Sequence, residues 1–279
     1  MGVSEKDMLD FVEAVVSCSS YDFSGYSDKS LKRRIERLLV EYKVNIQGLI
    51  YKVKHNPEFL EKIVKEITVN TTDLFRDPEV WHEIRHRVIN KLKDKSEITI
   101  WHAGCSTGQE VYSLAIMLKE LNILDKCKIY ASDLNTDVLD KARKGEYKYR
   151  FNINYLSNFD TVLKEDPYNY TLEKEVDYDT YFKIDKKNDK IVMNDFLRNK
   201  PLFKKMDLVK RENSFMTKFD LILCRNVLIY FNIQLQNKVI SFFHENLNDN
   251  GFLILGKHES LLGYTENNFN KKGKFYQKR

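Results

Sequence analysis

The chain has 279 residues, 42% of them hydrophobic and 31% charged, with 46 basic and 41 acidic residues for a formal net charge of +5. This length can bury the core of one large domain or of two small ones. So small a charge excess argues against nucleic-acid binding unless the charge is clustered. The cysteines are scattered without the spacing of a metal site, which is typical of reduced thiols in a cytoplasmic protein. They are Cys18, Cys105, Cys127 and Cys224.

Signals for membranes and secretion are missing from the sequence pattern. No apolar run approaches the roughly 20 residues needed to cross a bilayer, and residues 1–10 lack the apolar core of a signal peptide. We therefore expect a cytoplasmic monomer with no direct membrane insertion, no nucleic-acid partner and no metal site.

Residues 1–69 predict an all-helical domain, because apolar residues recur at spacings of three and four without strand alternation. Leu31, Ile35 and Leu38 form one such apolar face. The opposite face carries a basic stripe with a spacing of four, which consists of Lys29, Arg33 and Arg37. A charge run of this kind is usually a solvated face, and the alternative is a docking face for an acidic partner.

A polar connector follows the helical domain. It carries Asn70, Thr72 and Arg76 between two domains, where clefts are common. A simple turn with a surface arginine explains the same residues equally well. Asp77 and Pro78 then predict the start of a helix, as its N-cap and its first-turn proline.

Strands and helices alternate from residue 97 onward, which predicts a doubly wound parallel sheet with helices on both faces. The predicted strands are 98–102, 128–132, 219–224 and 251–255, and the predicted helices are 110–121, 136–144 and 233–247. Residues of about 148–205 break this alternation with a hairpin pattern and many aromatic side chains. We predict a small antiparallel β-subdomain inserted there. Its aromatic residues include Phe151, Tyr155, Tyr170, Tyr178, Tyr181 and Phe182.

The turn at residues 103–108, after the first of these strands, is rich in small residues. Gly104 and Gly108 would let a nucleotide-like ligand approach the backbone, but the turn departs from the G-x-G-x-x-G pattern of a pyrophosphate site. Glu110 suits a ligand with an ammonium or sulfonium group, and Asp133 after the next strand suits a ribose. Each has a simpler explanation, as a first-turn helix acid or a surface acid, but the two acids stand at successive strand ends of one sheet edge.

The segment 220–231 is the second informative stretch. A buried strand ends within it, and Arg225 and Asn226 stand at its carboxyl end, where open α/β sheets bind ligands. Tyr230 follows closely enough to face the same cleft. The alternative is that Tyr230 is an aromatic residue of the core.

Four segments, taken together and in this order, resemble the chemotaxis receptor methyltransferases, the CheR family. The family patterns read T-x-N-x-T-x-F-F-R-D, A-G-C-S-T-G-E-E-P-Y-S, A-S-D-I-x-x-x-V-L-x-K-A-R-x-G-x-Y and C-R-N-V-x-I-Y-F. They match residues 68–77, 103–113, 131–147 and 224–231. The resemblance therefore extends over nearly the whole chain.

The resemblance implies a Rossmann-like S-adenosylmethionine methyltransferase domain at 70–279, which contains the inserted β-subdomain, and a receptor-docking helical domain at 1–69. It implies methyl transfer from S-adenosylmethionine to glutamate side chains on the cytoplasmic helices of chemoreceptors, with S-adenosylhomocysteine as the product. The implied cofactor residues are Asn70, Thr72, Arg76, Glu110, Asp133, Asp207, Leu208, Asn226 and Val227. Arg76 and Tyr230 would border the transferred methyl group as catalytic residues, and Lys29, Arg33 and Arg37 would bind the partner.

The chain departs from the family patterns at a few positions. Leu74, Gln109 and Val111 replace Phe, Glu and Pro, Asp207 stands where many members have Asn, and residues 256–260 replace a G-H-S-E run. None of these changes removes a charged group that the reaction needs. The acceptor carboxylate is already ionised near neutral pH, so the displacement requires no general base or metal.

Two other functions share parts of this pattern. A nucleic-acid methyltransferase would use the same sheet, but amino-methylating types carry a D/N-P-P-Y-like turn where this chain has residues 226–229, and cytosine-C5 types need a Pro-Cys nucleophile. A non-catalytic docking module is the other alternative. The joint presence of Arg76, Glu110, Asp133 and Tyr230 argues against it.

Overall fold

The structure is a computed structural model that describes residues 2–150, 153–165, 167–168 and 175–279. Phe151 and Tyr170, two of the aromatic residues assigned from sequence to the inserted subdomain, lie outside the described residues. No helix in the described ranges is both long enough and apolar enough to cross a membrane.

The N-terminal part is all-helical, as predicted. Its helices are α1 (Glu5–Cys18), α2 (Asp28–Tyr42), α3 (Ile46–His55) and α4 (Pro57–Ile67). Ser4 begins α1 with a capping box, and the side chains of Asn45 and Asn56 cap α3 and α4 by accepting backbone N–H groups. The apolar faces of the four helices meet in one core, which includes Phe11, Ile35 and Ile63.

The connector leads into α5 (Pro78–Glu83), which continues through a π-helical turn (Ile84–Ile89) into α6 (Asn90–Leu92). Asp77 occupies the N-cap position and Pro78 the first turn, as predicted. Asp77 has a left-handed backbone, with φ +58°, and its side chain makes no cap hydrogen bond. Its carboxylate instead forms an ion pair with Arg225 at 2.8 Å, which places it in the polar cluster described below.

The main sheet has seven strands in the order β6-β2-β1-β7-β8-β10-β9. The strands are β1 (Ile98–Ala103), β2 (Cys127–Asp133), β6 (Pro201–Lys205), β7 (Phe219–Cys224), β8 (Leu247–Leu255), β9 (Phe269–Lys272) and β10 (Phe275–Lys278). The first five in the sheet order are parallel, and β10 and β9 are antiparallel additions. The sheet is therefore mixed. A tight turn after Lys272 joins β9 and β10 as an antiparallel hairpin, whereas a parallel pair would need a long crossover connection.

Helices cover both faces of this sheet, as predicted. They are α7 (Gln109–Glu120), α8 (Thr136–Lys144) and α11 (Ile233–Asn246). Alternate residues of β1 show the division, since Ile98 and Ile100 pack in a cluster with α7, and Trp101 and Ala103 pack in a cluster with α11. Strand β1 pairs with β2 on one side and with β7 on the other, so the strand order reverses there. Open α/β sheets bind ligands outside the carboxyl ends of the strands at this point.

A second sheet is small and antiparallel, with the order β3-β5-β4. It consists of β3 (Glu146–Lys148), β4 (Phe182–Asp185) and β5 (Lys190–Met193), and two helices accompany it, α9 (Ile153–Leu163) and α10 (Asp195–Arg198). The predicted antiparallel subdomain is thus present. Strand β6 falls in the same part of the sequence but pairs in parallel with β2 in the main sheet. The hydrophobic pattern of five residues does not tell which sheet a strand will join.

Candidate functional site

A deep cleft lies at the carboxyl ends of β1, β2 and β7, and its empty volume, including the part open to solvent, is about 1040 Å³. Its walls come from the turn after β1, the connector, the loop after β7 and helix α2. All the residues predicted from sequence to hold the cofactor line it, together with Tyr230. They are Asn70, Thr72, Arg76, Glu110, Asp133, Asp207, Leu208, Asn226 and Val227.

The turn after β1 is shaped by two glycines with positive φ, +81° at Gly104 and +90° at Gly108. A Cβ on Gly104 would lie 2.5 Å from Val227 Cγ2, and one on Gly108 would lie 2.9 Å from Ala142 Cβ. On the side where a Cβ would lie, both glycines are thus packed against the protein's own side chains, while Gly104 also lines the cleft. These glycines let the loop after β7 and helix α8 close against the turn.

Asp133 ends β2 with its carboxylate in the cleft. Its Oδ2 accepts the Ser106 amide N–H at 2.9 Å and its Oδ1 accepts the Asn135 amide N–H at 2.9 Å. Burial raises the pKa of Asp133, and these backbone hydrogen bonds oppose the rise. Ser106 Oγ is buried and has no hydrogen-bond partner among the residues that the structure describes. A carboxylate beside a hydroxyl without a partner fits a ligand with neighbouring hydroxyl groups, such as a ribose.

Glu110 belongs to a buried polar cluster. The His102 Nδ1–H group donates to Glu110 Oε1 at 2.9 Å, and Arg225 Nη1 donates to Glu110 Oε2 at 3.4 Å. Burial raises the pKa of Glu110, but the hydrogen bonds and charges of His102 and Arg225 outweigh it, so the pKa lies below its ordinary value. Arg225 also donates to Asp77 Oδ2 and to the Arg76 carbonyl oxygen, both at 2.8 Å. The cluster therefore connects the helix after β1, the loop after β7 and the connector.

Two members of this cluster were missed or only partly understood from sequence. His102 was not singled out at all, although its position in β1 continues the inward face of Ile98 and Ile100. A polar residue at an apolar position of a buried strand was the available signal. Arg225 was placed at the strand end, but its role as the partner of Glu110 and Asp77 depends on contacts distant in sequence.

The loop after β7 is held by Glu259, which sequence reasoning also missed. Glu259 Oε2 accepts the amide N–H groups of Asn226 and Gly256, each at 2.7 Å, and Oε1 accepts that of Ile229 at 3.2 Å. Burial raises the pKa of Glu259, and these backbone hydrogen bonds oppose it. The chain keeps a glutamate three residues after Gly256, at the same spacing as in G-H-S-E, and that spacing was the signal.

Tyr230 lies at the mouth of the cleft and is partly buried against the core beside α11. Burial raises the pKa of Tyr230, and the nearby positive charges of Arg34, Arg76 and Arg33 oppose that rise. Arg76 Nη1 donates to the Thr71 carbonyl oxygen at 3.3 Å. Three arginines and the Glu259 carboxylate thus lie near the tyrosine hydroxyl, whereas the floor carries the carboxylates of Glu110 and Asp133 with Arg225 as the partner of Glu110.

Helix α2 contributes to the cleft through residues other than the predicted ones. Ser30 and Arg34 line it, and Arg34 Nε is buried without a hydrogen-bond partner among the described residues. The predicted basic stripe lies outside the lining and is exposed to solvent. Its residues are Lys29, Arg33 and Arg37.

The helical part closes one side of the cleft through the segment before α2, which the sequence did not indicate. Tyr26 lines the cleft, and burial raises its pKa with a further contribution from the charges of Asp207 and Asp133. Tyr26 forms a backbone bridge with Phe231, and the Ser27 amide donates to the Tyr230 carbonyl oxygen at 2.9 Å.

Within the described ranges, no group of three or more His, Cys, Asp or Glu residues is arranged to hold a metal ion.

Comparison with known proteins agrees with this geometry. Residues 70–276 match the family model described as the S-adenosylmethionine binding domain of CheR methyltransferase, and residues 6–68 match that of its all-alpha domain. The chain is 35% identical to the putative methyltransferase Cher3 of Pseudomonas putida, over 90% of this chain and 87% of that protein.

Two further relatives carry the name chemotaxis protein methyltransferase. That of Listeria monocytogenes is 30% identical over 92% of this chain and 91% of its own length. That of Borreliella burgdorferi is 31% identical over 73% of this chain and 69% of its own length. Because the family models cover most of the residues and the relatives align along most of their length, the chain belongs to the CheR family of methyltransferases, whose cofactor is S-adenosylmethionine.

Proposed function

We propose that this protein transfers a methyl group from S-adenosylmethionine to glutamate side chains of chemoreceptors, giving glutamyl methyl esters for chemotactic adaptation. The observation that carries the proposal is the contrast of charge along the cleft. Its floor carries the carboxylates of Glu110 and Asp133, and its mouth carries Arg34 and Arg76 around Tyr230. A cationic cofactor fits the floor, and an anionic acceptor fits the mouth.

The residues of the cleft fit the cofactor. Asp133 and the free Ser106 hydroxyl would hold the ribose, and Glu110 would face the positively charged end. The remaining contacts would come from the connector and from the loops after β6 and β7, through Asn70, Thr72, Asp207, Leu208, Asn226 and Val227. When bound, S-adenosylmethionine supplies a methyl group on a sulfonium centre.

The chain's own residues have the task of orientation. A glutamate acceptor is ionised near pH 7, so no proton has to be removed. Arg34 and Arg76 would bind the acceptor carboxylate, and Tyr230 would direct it toward the floor of the cleft. Alignment of two reacting groups can contribute several kcal/mol to a rate enhancement.

Partner binding would use the exposed basic stripe of α2, which lies beside the cleft residues Ser30 and Arg34 on the same helix. Receptor segments that are methylated on glutamate are acidic, so Lys29, Arg33 and Arg37 would attract them. We assign receptor docking to residues 1–69 and methyl transfer to 70–279. The protein would act as a cytoplasmic monomer, with neither nucleic acid nor membrane insertion involved.

Incubation with methyl-labelled S-adenosylmethionine and receptor-containing membranes tests this function. We expect label on the receptor that is released as methanol in mild base, because glutamyl methyl esters are base-labile. A receptor whose methylated glutamates are replaced by alanine serves as the control and should stay unlabelled. Base-stable label would contradict the proposal and indicate methylation of nitrogen or carbon.

A further inference from the structure

His102 has no role in the function proposed above, and its position is unusual. It is fully buried in β1 next to the turn of the cleft, and its Nδ1 lies 2.9 Å from Glu110 Oε1. Its Nε2 is buried and has no hydrogen-bond partner among the residues that the structure describes. A buried histidine with one committed nitrogen is a candidate for orienting another group.

The geometry fixes which nitrogen of this imidazole faces Glu110. Glu110 is ionised and only accepts hydrogen bonds, so His102 Nδ1 is the donor of the 2.9 Å contact. Nε2 is buried without a hydrogen-bond partner in the described part of the chain, so the contact with Glu110 fixes the orientation of the ring.

The guanidinium of Arg225 is shared by two carboxylates, those of Asp77 and Glu110. The nearby thiols of Cys105 and Cys224 stay neutral, since burial raises both pKa values well above the ordinary range. Of the two carboxylates, Glu110 lines the cleft, and 14% of its side chain is exposed. Glu110 can therefore receive a cationic group of a ligand.

We propose that His102 is a positioning residue that holds Glu110 for the ammonium group of the cofactor's amino-acid end. Its Nδ1–H group fixes one carboxylate oxygen while Arg225 fixes the other, so the carboxylate keeps a single orientation toward the cleft. This orientation leaves the exposed part of the carboxylate in the cleft, where a cationic group can reach it. The proposal rests on the proposed assignment of Glu110 to the cofactor.

A pair of ligands that differ at the amino-acid end tests this role by calorimetry. S-adenosylhomocysteine and 5′-methylthioadenosine share the nucleoside and a neutral thioether, but only the first carries the ammonium and carboxylate groups. In His102→Leu we expect the affinity for S-adenosylhomocysteine to fall roughly ten- to hundredfold, the effect of losing a hydrogen bond to a charged group. The affinity for 5′-methylthioadenosine should stay within about twofold of the wild-type value.

Two variants separate positioning from folding. His102→Asn places an amide donor where Nδ1–H lies and should restore most of the lost affinity. Thr99→Val, on the same strand, removes a donor to the Asp220 carboxylate at the far end of β1 and should leave both affinities unchanged. If His102→Leu weakens both ligands equally, or if His102→Asn does not restore binding, the positioning role is wrong. If the wild-type protein binds neither ligand, the proposed cofactor site itself fails.

The tautomer has its own spectroscopic test. Imidazole ¹⁵N shifts of the wild-type protein at neutral pH should include one ring with a proton on Nδ1 whose signals are absent from His102→Asn. A ring at that position without a proton on Nδ1 would overturn the proposal, whatever the binding data show.

Discussion

The Glu259 carboxylate accepts a hydrogen bond from the backbone amide of Asn226 at 2.7 Å. The same carboxylate also accepts the backbone amides of Gly256 and Ile229. Asn226 has φ +61°, so the loop takes a left-handed step at this point and needs support from outside the loop. Glu259 therefore determines where the side chains of Asn226, Val227 and Tyr230 face.

Removal of this carboxylate should affect stability and methyl transfer together. Glu259→Ala leaves the partly buried N–H groups of Asn226 and Gly256 without acceptors, which costs up to about 1–3 kcal/mol for each group. We expect a lower free energy of unfolding in urea and a lower methylation rate. Lys257→Ala, which breaks only a half-exposed ion pair with Glu79, is the matched control and should change little. If Glu259→Ala unfolded at the same urea concentrations as the wild type, the conformation of the loop after β7 would not depend on Glu259.

Cofactor affinity should depend on Asp133. Asp133→Ala removes the proposed ribose acceptor, so affinity for S-adenosylmethionine should fall roughly ten- to hundredfold in calorimetry. Asp137→Ala serves as the control, because it removes a mostly exposed carboxylate that pairs with Lys65. This variant should bind S-adenosylmethionine with the wild-type affinity. Unchanged affinity in a folded Asp133→Ala protein would remove Asp133 from the cofactor site.

Arg76 and Tyr230 should matter for turnover more than for folding. Tyr230→Phe keeps the ring that packs against the core and removes only the hydroxyl at the cleft mouth. We expect this variant and Arg76→Ala to melt near the wild-type temperature and to methylate receptor at least about tenfold more slowly, the effect of one lost charge-assisted contact. If Tyr230→Phe lost stability but kept full specific activity, Tyr230 would be a core residue only.

The basic stripe of α2 should affect receptor methylation and leave cofactor binding alone. In Arg33→Glu/Arg37→Glu, like charges would face an acidic partner and slow association, most visibly at low salt. We expect normal affinity for S-adenosylmethionine, slow receptor methylation, and a wild-type rate that falls as salt rises. Lys52→Glu/Lys54→Glu makes the same charge change on exposed positions of α3 and serves as the control. Wild-type methylation by the stripe variant would leave the stripe an ordinary solvated face.

Glu110 should contribute stability that depends on pH. Its pKa in the folded protein lies below the ordinary value of 4.5, so the unfolded chain binds this proton more readily. The contribution is fully present above pH 4.5 and is lost as the pH falls through the lower, folded-state pKa. The difference in unfolding free energy between the wild type and Glu110→Gln should therefore be largest near pH 7 and shrink in acid. A difference that does not change with pH would contradict the ionised cluster.

Local patterns predicted the alternating strands and helices well, because each element carries its own hydrophobic period. Strand β2 was expected at 128–132 and extends over Cys127–Asp133. The hairpin of β9 and β10 was missed, since two strands of four residues each have too little pattern to stand out. The sheet that β6 would join was likewise not readable from its own residues.

In the site, too, residues that belong to local motifs were predicted, and residues whose partners are distant in sequence were missed. Residues that stand in sequence motifs, such as Asp133 and Asn226, were predicted to share a cleft, and they do. His102 and Glu259 were missed, because their importance comes from partners 8 and 33 residues away, respectively. Asp77 was placed correctly at the helix N-cap, but the pairing of its carboxylate with Arg225, 148 residues away, was missed. Rules based on neighbouring residues cannot tell whether a carboxylate will bind a nearby backbone amide or a guanidinium that is distant in the sequence.

The backbone bridge between Tyr26 and Phe231 makes the helical part a wall of the cleft rather than an appendage. A ligand in the cleft would contact both halves of the molecule at once, and it would bind less well to any form in which they separate. Ligand binding would then stabilise the association of the two halves, by an amount that rises with the logarithm of the ligand concentration above its Kd. Severing the chain near Thr71 should consequently yield two fragments that associate more tightly when the ligand is supplied.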